Sequence, residues 1–70
     1  MRNRAMRTRV RNAVKTVRQA LEAKDAQQAQ DALRQAVSVI DKAAGRGVLH
    51  TRTASRYVAR LSGQVQALGA

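Results

Sequence analysis

The chain has no proline, and its apolar residues recur at helical spacing in three blocks separated by only two breaks, at Lys24-Asp25 and at Gly45-Arg46-Gly47. Nothing inside a block removes a backbone donor, and 14 of the 70 residues are alanine, which loses no side-chain entropy in a helix. The spacing predicts an all-α fold, an antiparallel three-helix bundle with helices over about 2–23, 26–44 and 52–68 and a long basic first helix. The whole chain, 1–70, reads as a single domain. Its first nine residues, 1–9, read as a basic arm, because the firm apolar pattern begins only near Val10.

In the first block Met6, Val10, Ala13, Val14, Val17, Ala20 and Leu21 share an arc of roughly 120° on a helical wheel. Asp25 then serves as an N-cap, with Gln28 three residues on completing a capping-box pattern. The second block places Ala29, Ala32, Leu33, Ala36, Val39, Ile40 and Ala43 on one face. Gly45 or Gly47 is expected to supply its left-handed C-cap. Val48 and Leu49 are expected to pack inward, and Thr51 or Thr53 to cap the third helix. There Ala54, Val58, Leu61, Val65 and Leu68 alternate at spacings of four and three, with Tyr57 at the edge of the seam. Beyond alanine the larger apolar residues are few, so this is a thin core of the kind that leans on a partner.

The net charge of +10 is unevenly placed. Residues 1–24 hold eight basic side chains against Glu22 alone; residues 25–44 are close to neutral; residues 45–70 add Arg46, Arg52, Arg56 and Arg60 with no acid. Arg4, Arg7, Arg11, Lys15 and Arg18 fall within about 80° of the first helix and follow one another by three or four residues. Arg2 and Arg9 lie off this ladder. Arg52, Arg56 and Arg60 repeat at i, i+4, i+8 on the third helix. Like charges at this spacing cost a helix a few tenths of a kcal/mol each, about what an opposite pair would gain, so solvated faces normally mix signs. A ladder without interleaved acid implies a polyanion that offsets the repulsion. Arginine suits phosphate, because its planar fork grips two oxygens at once.

Other function classes drop out. With one His, no Cys and four scattered acids there is no paired-carboxylate, nucleophile or metal-ligand arrangement, so no enzyme, cofactor, metal or small-molecule substrate is expected. Gly45-Arg46-Gly47 lacks the strand and the Gly-Lys-Ser/Thr ending of a phosphate loop. His50 beside a helix start reads as a packing or capping residue before it reads as a ligand. No apolar run reaches the 18 residues of a membrane span, and no Trp or Phe offers an interfacial anchor. A cytoplasmic chain is expected, with nothing calling for a homo-oligomer. Tyr57 is the only aromatic residue, which argues against holding single-stranded nucleic acid by stacking its bases on aromatic platforms; few Asn or Gln flank the ladder, which argues against reading major-groove base edges. Backbone and shape recognition of a folded nucleic acid remains, the mode typical of structured RNA.

The stretch Asp41-Lys42-Ala43-Ala44-Gly45-Arg46-Gly47-Val48-Leu49-His50, the Thr53-Ala54-Ser55-Arg56 and Arg60-Leu61 that follow, and the earlier Arg2-Asn3-Arg4 and Arg9-Val10-Arg11-Asn12-Ala13-Val14-Lys15-Thr16 resemble the bacterial small-subunit ribosomal protein family S-twenty along essentially the whole chain. The resemblance implies a three-helix bundle that binds small-subunit ribosomal RNA at its 5′ domain and long penultimate stem. It implies RNA-phosphate contacts from Arg2, Arg4, Arg7, Arg11, Lys15 and Arg18, and a second RNA-facing patch from His50, Arg52, Arg56 and Arg60. The family usually carries a further basic stretch before the Arg-Asn with which this chain opens. It also usually has basic residues where Tyr57 and Val58 stand here, and commonly Asn where Arg52 stands. The alternative from the residues alone is an architectural DNA-binding protein with basic helices.

Overall fold

The computed structural model describes residues 2–69, with side chains described from Arg4 onward. It has three helices, α1 (Arg2–Glu22), α2 (Ala26–Gly45) and α3 (Thr51–Gly69), joined by short turns that set successive helices antiparallel. The expected elements are all present, each boundary shifting by no more than one residue.

The turns show why the helices stop where they do. At the end of α1 the Asp25 amide donates to the Ala20 carbonyl at 3.1 Å and the Lys24 amide to the Leu21 carbonyl at 3.0 Å. This crossed pair satisfies two orphan carbonyls and requires a left-handed residue at Lys24, where φ is 56°. Asp25 then changes role: its carboxylate accepts from the Gln28 amide at 3.1 Å and starts α2. Its own amide is already committed to α1, so only one half of the expected capping box forms.

The same crossed pair ends α2. Val48 donates to the Ala43 carbonyl at 2.9 Å and Gly47 to the Ala44 carbonyl at 3.1 Å. The left-handed residue is Gly47, at φ 78°, whereas Gly45 remains within the helix. Val48 and Leu49 pack partly buried against the core, as expected.

The cap of α3 departs from expectation. Neither Thr51 nor Thr53 caps it. The Nδ1 atom of His50 accepts from the Arg52 amide at 3.1 Å, and the His50 carbonyl accepts the first helical bond, from Ala54, at 3.0 Å. An imidazole nitrogen two residues upstream does what a shorter Asx or Ser side chain usually does. Thr51 already lies inside the helix.

The core is built on α2. Its buried residues are Ala29, Ala32, Ala36, Ile40 and Ala43, so four of five carry only a methyl group. Small side chains let neighbouring helices approach closely. Helix α1 contributes Met6, Val10, Val14, Val17 and Ala20, and α3 contributes Ala54, Leu61 and Val65. Ile40 and Val17 are fully enclosed. Met6 is only 5% exposed, so α1 is held on the bundle from Met6 onward, whereas Arg4 and Ala5 are exposed. Both flanking helices lean mainly on α2 and touch each other little. The Cα envelope is accordingly wider than it is thick, 37 × 20 × 13 Å. An open groove runs between α1 and α3.

Two pairs of variants test this account. Leu61 is 3% exposed, and Leu61→Ala should cost about 2–5 kcal/mol, whereas Gly63→Ala, in an exposed stretch of α3 where an added Cβ meets nothing within 4 Å, should stabilise by about 0.5–1 kcal/mol. Urea unfolding followed by circular dichroism reads both. His50→Ala should cost about 1 kcal/mol by removing the cap and His50→Asp should restore it; equal midpoints for all three proteins would show that the imidazole does not cap.

Candidate nucleic-acid interface

The ladder on α1 begins where the apolar arc stops. Val14 packs inward while Arg11 and Arg18, one turn before and after it, and the adjoining Lys15 lie on the exposed flank facing α3. Helical geometry thus puts cations along one lip of the α1–α3 groove. The groove holds a cleft of about 380 Å³ lined by Val10, Arg11, Val14, Lys15, Arg18 and Tyr57. A second cleft of about 250 Å³ continues along it, lined by Val14, Arg18, Tyr57, Arg60, Leu61 and Gln64. Arg18 and Tyr57 belong to both. Cations therefore come from two helices, with valine and leucine as the floor and no acid among the lining residues.

The other inter-helix grooves are different. The α1–α2 groove is lined by Thr16, Gln19, Ala20, Gln28, Asp31, Ala32 and Gln35. The α2–α3 groove is lined by Asp41, Ala44, Thr51, Ala54, Ser55, Val58 and Ala59. Each has one carboxylate and no Lys or Arg. The positive potential is a property of the α1–α3 face, produced by where the arginines fall around each helix rather than by net charge alone.

The expected site residues divide accordingly. Arg11, Lys15 and Arg18 line the first cleft, and Arg18 and Arg60 the second, along one groove. Arg4 and Arg7 are exposed further along the same edge of α1. Arg56 and Arg52 are exposed one and two turns before Arg60 on α3 and extend its stripe without lining the cleft. The Arg2 side chain lies outside the described residues. His50 is exposed, and its Nδ1 is engaged in the cap, which leaves Nε2 as the free polar atom.

Two lining residues escaped the sequence reading as site residues, Tyr57 and Gln64. Both sit on the α1-facing side of α3, about 40–60° round from Arg60. The signal was present in the wheel position of Tyr57, but nothing in α3 alone shows that this edge meets the arginine ladder of another helix.

Among the described residues no three His, Cys, Asp or Glu side chains come together as a metal site, and no helix is long and apolar enough to cross a membrane. The basic, two-helix cleft is the chemically distinctive feature of the molecule, and it suits a phosphate backbone.

Comparison with known proteins agrees with this chemistry. The family described as Ribosomal protein S20 matches residues 1–66. The chain is 51% identical over 69 residues to the small ribosomal subunit protein bS20 of Geobacter sulfurreducens, covering 99% of this chain and 79% of that protein. It is 50% identical over 68 residues to bS20 of Geobacter metallireducens, covering 97% and 78%. It is 49% identical over 67 residues to bS20 of Oleidesulfovibrio alaskensis, covering 96% and 77%. A family match spanning nearly the whole chain, with half the residues identical to these relatives, shows that this three-helix chain belongs to the bS20 family of ribosomal proteins.

Proposed function

We propose that the chain is a structural, non-enzymatic constituent of the small ribosomal subunit in the cytoplasm, and that it holds folded ribosomal RNA through its α1–α3 face. The observation that carries this reading is the convergence of Arg11, Lys15, Arg18 and Arg60 from two helices on one groove with no acid. A single basic edge tracks one phosphate strand. Two edges flanking a groove neutralise phosphates of two RNA segments brought close together, which otherwise repel. Arg4 and Arg7 would continue the contact along α1, and Arg52 and Arg56 along α3. The near-neutral α2 buttresses both and faces away from RNA. The basic arm assigned to residues 1–9 narrows to the turn before Met6, which would gain its partners from the RNA.

Family membership favours the small subunit as the assembly, with the 5′ domain and the long penultimate stem of its RNA as the segments bridged. Compaction of duplex DNA would need only a continuous basic surface, not a groove between two basic edges.

Replacing counterions at about six phosphates makes binding steeply salt-dependent. Arg11→Glu combined with Arg18→Glu should weaken binding to a 5′-domain transcript by at least about ten-fold and lower the slope of log K against log salt by about 1.4–1.8, at about 0.7–0.9 per phosphate contact. The melting temperature should hardly move, because both side chains are exposed. Competition with random-sequence duplex DNA at moderate salt separates the two nucleic-acid readings: equal affinity for DNA and transcript would favour compaction of DNA.

A further inference from the structure

We propose that Tyr57 is a stacking platform for one unpaired nucleotide of the bound RNA, with the base on its ring and the flanking phosphates on Arg11, Lys15, Arg18 and Arg60. This rests on the RNA reading above and adds to it a point of local recognition.

Tyr57 is the one aromatic residue of the chain, and the structure leaves it 37% exposed as its exposed large hydrophobic residue. Leu61 and Val65 on the same helix turn their side chains inward, at 3% exposure each, whereas the Tyr57 ring stays at the surface. Tyr57 instead stands as a wall shared by two adjoining clefts. On one side it faces the Val10–Val14 floor, and on the other Leu61 and Gln64. The first cleft, at about 380 Å³, falls in the range of about 300–1,000 Å³ usual for small-ligand sites. An apolar floor, an aromatic wall and a cationic rim are together complementary to a nucleotide: a flat base to bury and a charged phosphate to hold at the edge. Paired bases in A-form RNA are stacked on their neighbours and present no free face, so the occupant must be a bulged or splayed nucleotide. Gln64, at the far end of the second cleft, offers an amide that both donates and accepts towards a base edge.

Stacking and phosphate neutralisation respond differently to salt, which makes the proposal separable from the reading it rests on. Base–aromatic stacking is worth about ten-fold in affinity per base and releases no counterion. Tyr57→Ala should therefore weaken binding to a duplex RNA carrying one single-nucleotide bulge by about ten-fold while leaving its salt slope unchanged, and should leave binding to the fully paired duplex of the same sequence unaffected. Tyr57→Phe should keep the bulge preference.

Because the chain has no Trp, emission from Tyr57 reports on its ring directly. The bulged duplex should quench it strongly and the paired duplex weakly, with binding of both followed independently by anisotropy of a label on the RNA. Binding of both duplexes with equal quenching, or an unchanged bulge preference in Tyr57→Ala, would overturn the stacking role and leave the phosphate interface standing. Failure of either RNA to bind in dilute buffer would overturn the RNA reading and this one with it.

Discussion

The close approach permitted by the alanines of α2 is the interaction on which the rest of the molecule depends. Ala29, Ala32, Ala36 and Ala43 are buried with almost no side chain to bury, so the backbones of α1 and α3 settle against α2 rather than against a bulky centre. A larger residue on α2 would have to be accommodated by pushing the flanking helices outward. With alanine there, most of the larger buried residues come from the flanks, Val10, Val14 and Val17 on α1 and Leu61 and Val65 on α3, and α2 adds Ile40. The bundle is therefore a spine with two rails. The gap between the rails is an outcome of packing, and it is this gap that the proposed function makes the interface.

This arrangement explains why one groove of the bundle is basic and the others are not. The basic ladder on α1 borders its apolar arc on the side of Val14, and Arg60 and Tyr57 border the α3 seam on the matching side. Wherever an apolar stripe is flanked on one side only by cations, docking two such helices on a common spine brings their cationic edges together. Asp31 and Asp41 lie in the grooves along α2, where the spine meets each rail. The charge separation between faces is thus written into the phase of each helix relative to its hydrophobic stripe.

How much of this the sequence discloses follows from which features are local. Helix positions follow from periodicity and from the absence of proline, and the arginine ladders follow from spacing within one helix. Both are legible without a structure. The caps are legible only when the usual residue performs them. Asp25 and Gly47 do so. His50 is legible as a packing or capping residue beside a helix start, but Thr51 and Thr53 are commoner caps and compete with it, and the backbone enters α3 one residue before Thr51. Lys24 ends α1 at the expected break, but its left-handed conformation, which glycine or asparagine would normally mark, is not legible from its residue type. The cleft is the least legible feature, since it is a relation between helices. Tyr57 is read from its own helix as the edge of a seam, and only the position of α1 turns that edge into the wall of a basic groove.

Placing cations in the groove has a consequence for the fold that carries them. Arg11, Lys15, Arg18 and Arg60 approach one another across a gap in which no acid intervenes, so closing α1 onto α3 increases their mutual repulsion. That repulsion opposes tighter packing of the rails, and a modest aliphatic seam offers limited force to overcome it. The groove that packing leaves open is, with these cations along it, receptive to an anion. On the proposed function, a phosphate backbone seated there would remove the repulsion and supply the surface that the thin core lacks. Binding and completion of the fold are on this view two aspects of one charge neutralisation, and a chain of this size reaches its most stable form as part of an assembly rather than alone.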